Sequence, residues 1–243
     1  SDNDGLELLN YKPKVYPKIP MPKTVTPPIS PKDIATVEEL YFEGSRLDQF
    51  YNSQIGSGIY YEEALKRDPG NSQVNTHLGI QYCKKLNWAK AEEHLQKAVA
   101  RISSSYIHPK NTEAFYYLAI TQEQQNKNKE AYDNYYKATW DDGMASPAYF
   151  QLANMDCKQG NFQIAKEHII RSLDFNRNNI QAIALLGYIE NKLENHDGAL
   201  LVLEQSVQKN PINRLLLNQL VLTYKIAGND AKKDQILNRL IKI

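Results

Sequence analysis

Leu118, Leu152, Leu186 and Leu220 stand 34 residues apart, and the small or short residues Ala119, Ala153, Gly187 and Val221 follow them. Thirteen residues beyond the first three leucines come Ala131, Ala165 and Ala199. Four further on are Tyr135, Ile169 and Leu203, and three more bring Ala138, Ser172 and Ser206. An earlier copy carries Leu78, Gly79, Tyr82, Ala91, Leu95 and Ala98. It precedes the next by 40 residues, which assigns a six-residue insertion to Ser103–Lys110. A still earlier copy holds Tyr61, Ala64 and Pro69; in it Gly44 takes the place of the leucine and Ser57 that of the alanine. A fixed period of this length describes stacked supersecondary units, each unable to bury its apolar face alone.

The offsets specify what each unit is. Apolar residues at spacings of three and four read as amphipathic helices. Two helices of about 14 residues with short turns fill a 34-residue unit. Such helices approach closely only where both present small side chains, so the expected crossings are Gly79 with Ala91, Ala153 with Ala165, and Gly187 with Ala199. Ala98, Ala138, Ser172 and Ser206 would admit the first helix of the following unit. Sustained period-2 alternation and Asn-Gly hairpin turns are absent from the sequence. The fold class that follows is all-α: a right-handed α-solenoid of about twelve helices.

Before the repeats lies a different kind of chain. Seven of the 11 prolines, Pro13, Pro17, Pro20, Pro22, Pro27, Pro28 and Pro31, fall in one short stretch, which reads as an extended, non-helical arm. Pro69, Pro109, Pro147 and Pro211 are expected to punctuate between helices. The expected organisation is an arm over 1–37 and a solenoid over 38–243, with repeats at about 38–71, 72–105, 112–145, 146–179, 180–213 and 214–243. In the last copy Val221, Lys233 and Leu240 replace small residues, as in a terminal repeat with nothing stacked on it.

The pattern Leu-Gly…Ala…Leu…Ala with a proline near the end, as in Leu78–Ala98 and Leu186–Pro211, resembles the tetratricopeptide repeat. That resemblance covers roughly 38–243 and implies an architecture built for interaction, not an activity. The join, from Glu38-Glu39-Leu40-Tyr41 through Gly44 and Gln49-Phe50-Tyr51 to Tyr61-Glu62-Glu63-Ala64-Leu65-Lys66-Arg67-Asp68-Pro69-Gly70, is similar to the C-terminal repeat half of large bacterial multidomain proteins of the DUF5107 type. It implies that the chain, which begins at Ser1, is the repeat half of a longer protein.

In such a stack the first helices line a concave groove. Counting from each leucine places Ile80, Cys83 and Lys84 there; then Tyr116, Ile120, Glu123 and Gln124; Phe150, Asn154, Cys157 and Lys158; Ala184, Tyr188, Asn191 and Lys192; and Leu222, Lys225 and Ile226. Tyr116, Phe150 and Tyr188 are candidates to stack on a peptide side chain or a sugar ring, and Lys84, Lys158, Lys192 and Lys225 to meet acidic groups. Asn154 and Asn191 are further candidate partner-binding residues of the same groove. The expected function is a non-catalytic scaffold for protein–protein or domain–domain contacts through this groove. The rival is the accessory half of a carbohydrate-active protein, its groove binding glycan or docking the missing domain.

Other classes find little support. The 29 Lys plus Arg against 28 Asp plus Glu leave no cationic surplus for nucleic acid or an anionic membrane. No run of 18 apolar residues exists, and the first 30 residues show no secretory pattern. Cys83 and Cys157 share an offset two repeats apart, too far for a disulfide, so two free thiols are expected and a reducing compartment is favoured. The five histidines form no i,i+4 pair, so no metal or other cofactor is expected, and no nucleophile–base–orienter set stands out.

Overall fold

The structure, a computed structural model, describes residues 11–17, 20–21, 27–50, 55–105 and 107–241. Residues 1–10, Pro22 and Tyr51, used in the sequence reading, lie outside the described residues. Among those described there are twelve α-helices and no strand. They are α1 (Val37–Gln49), α2 (Gly58–Arg67), α3 (Ser72–Lys84), α4 (Trp88–Ser105), α5 (Glu113–Gln124), α6 (Asn128–Ala138), α7 (Asp142–Gln159), α8 (Phe162–Phe175), α9 (Ile180–Lys192), α10 (His196–Lys209), α11 (Arg214–Ile226) and α12 (Asp230–Ile241). Odd and even helices pack as consecutive pairs, and each pair packs on the next. First helices also touch first helices: α3 meets α5, α5 meets α7 and α9 meets α11. The core is a strip between the pairs, and the fold is an all-α solenoid.

The turn inside each pair has one geometry. Leu86, Asn126, Gly160, Glu194 and Gly228, each eight residues past a repeat leucine, all have φ between 57° and 79°. The amide of the following residue reaches back to the carbonyl five positions earlier, as in Asn87 to Tyr82, Lys127 to Gln122, Asn161 to Asp156, Asn195 to Glu190 and Asn229 to Tyr224, each at 2.9 Å. This is the Schellman close of a helix. In three of these turns the same residue then caps the second helix: Asn87 Oδ1 accepts from Lys90, Asn195 Oδ1 from Gly198 and Asn229 Oδ1 from Lys232.

The small-residue crossings are more specific than the spacing implied. Ala91, Ala131, Ala165 and Ala199 are fully buried. The glycine of the first helix, however, makes room for the large residue four past that alanine. A Cβ on Gly79 would stand 2.5 Å from Leu95, and one on Gly187 would stand 2.8 Å from Leu203. Gly44 bears the same relation to Tyr61, at 2.6 Å. Gly44 therefore occupies the small-residue position rather than the leucine position, and the span from Gly44 to Tyr61 is one residue longer than those from Gly79 to Leu95 and from Gly187 to Leu203. Ala98, Ala138, Ser172 and Ser206 are buried where successive pairs meet. There Thr112 Oγ1 donates to the Ala138 carbonyl and Ser172 Oγ to the Ser146 carbonyl, both at 2.8 Å.

Two proline expectations need correction. Pro69 and Pro211 lie in turns and Pro109 in a connection, but Pro147 lies inside α7. That helix starts early, at Asp142, capped by Asp141, so Pro147 falls within its second turn, and the carbonyl that loses its partner belongs to Gly143. Pro31 opens a 3-10 turn, Pro31–Asp33, at the position where its missing N–H costs nothing. The arm divides in two. Tyr11, Val15, Tyr16 and Met21 are exposed, whereas residues 27–36 lie on the first pair. Ile34 is buried, Tyr60 donates to the Ile29 carbonyl, and the Arg67 guanidinium donates to the carbonyls of Pro31, Ile34 and Ala35. Thr36 and Glu39 then form a capping box that starts α1.

The last pair is open. Leu237 stands 34 residues after Leu203, which is fully buried, yet it is 43 % exposed because no further helix covers it among the described residues. Ile236 and Leu240 still pack on the α11 core.

Candidate functional site: the concave face

The concave face is held together by a ladder between first helices. At two of the four junctions the residue five past one leucine bonds to the residue three past the next; at the other two that position holds Met155 or Ile189, whose side chains carry no hydrogen-bonding N or O. Cys83 Sγ lies 3.2 Å from Thr121 Oγ1, and Asn191 Nδ2 donates to Thr223 Oγ1 at 2.8 Å. Asp48, in the corrected register of α1, completes the series by accepting from Gln81 Nε2 at 2.8 Å. It also accepts from Tyr61 at 2.9 Å and meets His77 Nε2 at 2.6 Å. Burial pushes the Asp48 carboxyl up, but hydrogen bonds from Ser57, His77 and Tyr61 outweigh it and hold it below the ordinary range.

This ladder sorts the predicted groove residues. Asn191 is a rung of it. Asn154 donates to the Phe150 carbonyl of its own helix at 3.0 Å. Phe150 packs against the cluster of Ala153, Ala165 and Ile169. Tyr116 meets Tyr117 and Tyr135 edge-on at 5.5 and 5.8 Å, and burial raises its phenol. Cys83 and Ala184, also expected in the groove, are buried between first helices, because their offset falls on the seam. Lys158 Nζ pairs with Glu123 at 2.7 Å, and Glu123 also accepts from Tyr135 at 3.0 Å.

What reaches solvent is narrower. Tyr188 is 36 % exposed, with the edge of Phe162 at 6.2 Å and Lys192 Nζ 5.6 Å above its ring. Lys84, Lys192 and Lys225 are exposed and form no ion pair among the described residues. Leu215, Leu222 and Ile226 on α11 are 42, 51 and 54 % exposed. Lys84, Lys158 and Lys192 each stand six past a leucine and Lys225 five past, in the last turns of α3, α7, α9 and α11, while α5 carries Gln124 at that position. Position at a helix C-terminus stabilises each of them. The ladder is not among the features expected from the sequence. Its signal was present: Thr121 and Thr223, and with them Gln81, recur three past a leucine.

The two thiols are free. Burial raises both, Cys157 to about 11 with help from the adjacent Asp156 carboxylate. Among the described residues, no three His, Cys, Asp or Glu side chains are placed to hold a metal ion, and no helix is long and apolar enough to cross a membrane.

No protein-family model matches the sequence. Solved structures do resemble it. Pseudomonas aeruginosa pilF superposes with a TM-score of 0.68 at 18% identity, covering 85% of this chain and 90% of its own. A tetratricopeptide repeat protein from Parabacteroides merdae gives 0.65 at 14% identity, over 85% and 79% of the two chains. YrrB, a TPR protein with an unusual peptide-binding site, gives 0.61 at 17% identity, over 75% and 91%. Helix pairing, repeat period and these superpositions agree that the chain has the tetratricopeptide repeat fold.

Proposed function

We propose that the chain is a non-catalytic scaffold whose concave face holds an extended, acid-bearing peptide segment or a partner domain. The observation that carries this reading is the set Lys84, Lys158, Lys192 and Lys225 on four first helices, interrupted at α5 where Gln124 stands, three of them without an ion-pair partner among the described residues. Leu215, Leu222 and Ile226 give the α11 end of the strip an apolar floor. A segment alternating acidic and apolar residues would satisfy both, with affinity concentrated in a few anchors. The peptide-binding site of YrrB, on the same fold, supports the reading. The resemblance of the join to DUF5107-type proteins favours a partner in the same polypeptide. Glycan binding stands second, because Tyr116 and Phe150 are taken up by packing and Tyr188 is the one candidate ring left open.

A random-peptide display selection against the chain tests this. Enrichment of peptides with Asp or Glu beside an apolar residue, lost when Lys84, Lys192 and Lys225 are all changed to Ala, is the expected result. Enrichment that ignores acidic residues, or that survives the triple change, contradicts it.

A further inference from the structure

Three positions recur at the three middle repeat junctions: one past the second-helix alanine of one repeat, and four and nine past the leucine of the next. Between the second and third repeats they are Glu92, Gln122 and Lys127, and Lys127 Nζ lies 2.7 Å from both Glu92 oxygens. Between the fourth and fifth they are Lys166, Glu190 and Asn195. Glu190, only 6 % exposed, accepts from Lys166 Nζ at 2.9 Å and from Asn195 Nδ2 at 2.8 Å.

Between the third and fourth repeats the positions hold Tyr132, Asp156 and Asn161. Asp156 is 2 % exposed, acidic like Glu190, yet no Lys or Arg reaches it among the described residues. His168 Nδ1 meets one carboxylate oxygen at 2.7 Å from within the same repeat. The other oxygen has only the Tyr132 hydroxyl, at 3.3 Å. Asn161 turns its amide to Gln159 instead, at 3.4 Å. Where the next junction has its lysine this one has Tyr132, and an open cavity of about 370 Å³ is lined by Tyr132, Asp156, Gln159 and Asn161.

We propose that this cavity binds a primary ammonium on an aliphatic stem, as carried by a lysine side chain of a partner protein or by a free diamine. The neighbouring junction is the template. Lys166 shows which group a buried carboxylate at this position accepts, and here the chain does not supply it. A carboxylate offers about four lone-pair sites, and Asp156 uses two. Asp133 adds a second acid to the wall, against the single cation Lys129 four residues before it on α6. The Tyr132 ring and Ile164 offer apolar surface to the methylenes, and the ring face attracts the cation. The cavity is built by α6, the end of α7 and the start of α8, and its lining includes none of Lys84, Lys158, Lys192 and Lys225, so this inference does not rest on the concave-face reading.

Nα-acetyl-lysine methylamide and cadaverine, titrated separately into the chain and followed by the side-chain amide NMR signals of Gln159 and Asn161, test it. Saturable shifts are expected with the lysine derivative and none with the uncharged Nα-acetyl-norleucine methylamide. Equal or tighter binding of cadaverine would assign the site to free diamines, and weaker binding to a protein side chain. Asp156→Asn should weaken the response about tenfold or more, since a charge-assisted bond is lost. Tyr132→Lys rebuilds the internal pair of the next junction, so it should keep the fold and abolish the response. Shifts of equal size with the norleucine derivative, or amine binding that survives Tyr132→Lys with an unchanged helical spectrum, would overturn the proposal.

Discussion

Leu95 fills the space that a side chain on Gly79 would need: a Cβ there would lie 2.5 Å from the leucine Cγ. The same relation joins Gly187 to Leu203 and Gly44 to Tyr61, so the glycine and the bulky residue act as one unit. Gly79→Ala should therefore destabilise the chain by about 1–3 kcal/mol through overpacking. Leu95→Ala alone should cost about 2–5 kcal/mol through a cavity. In the double variant the two losses should fall well short of additive, because the alanine at 79 no longer meets a leucine. Urea unfolding of the four proteins checks the cycle, and strict additivity would refute the coupling.

The repeated left-handed turn carries Gly at 160 and 228 but Leu at 86 and Glu at 194. A side chain in that conformation costs roughly 1–2 kcal/mol, part of which the extra freedom of glycine in the unfolded chain offsets. Glu194→Gly should raise stability by about 0.5–1 kcal/mol, or about 1–4 °C in Tm for a chain of this size. Gly160→Ala should lower it by a similar amount. Thermal melts of both variants should move in opposite directions.

Buried tyrosines make the fold sensitive to alkali. Burial, with the Asp156 carboxylate adding to it, raises the Tyr132 phenol to about 12. Burial also drives Tyr61 and Tyr135 far above the ordinary range, helped by Asp48 and Glu123 respectively. Below the unfolded value near 10, both states hold these protons and stability does not depend on them. Above it the unfolded chain ionises and the folded one does not, so stability falls as pH rises towards the folded values. The urea midpoint should fall gently above about pH 8.5, where the unfolded thiols begin to ionise, and drop more steeply beyond about 10 as the unfolded phenols follow. A midpoint independent of pH up to 11 would contradict the burial of these phenols.

The thiols should be slow. Cys83 is buried and Cys157 half-buried, with the latter raised to about 11, so little thiolate exists near neutrality. At pH 8 the native chain should react with a disulfide reagent much more slowly than the urea-unfolded chain, and Cys83 should be the slower of the two. Equal rates in the two states would show that the first-helix seam opens freely.

Most of the architecture was legible because a repeat states itself several times. Leu118, Leu152, Leu186 and Leu220 fix the helix pairs, and the 40-residue gap after Leu78 marks the insertion. One degenerate copy is misread from sequence: Gly44 seems to replace a leucine, because one extra residue between Gly44 and Tyr61 shifts the count. Pro147 was taken for punctuation because nothing in the sequence shows that α7 starts before it. The site was less legible. Offsets place residues on a face but do not say whether that face meets solvent or the next helix. Tyr116, Phe150 and Asn191 therefore turned out to serve packing and the ladder, while Lys84, Lys192 and Lys225 remain exposed. The partners of Asp156 come from the two adjacent helices, His168 of its own repeat and Tyr132 of the one before, and offsets alone do not say that these side chains turn inward to meet it.

The central claim is that the concave lysine strip, not the outer surface, takes the partner. The measurement is the affinity of a selected acidic peptide for three proteins: wild type, Lys84→Glu/Lys192→Glu/Lys225→Glu, and a control with Lys97→Glu and Lys137→Glu on the second helices α4 and α6. The account predicts a loss of about a hundredfold or more in the concave variant, since each repelled contact costs roughly 1.4 kcal/mol or more, and almost no change in the control. Equal affinity for wild type and concave variant, or a loss confined to the control, would contradict it.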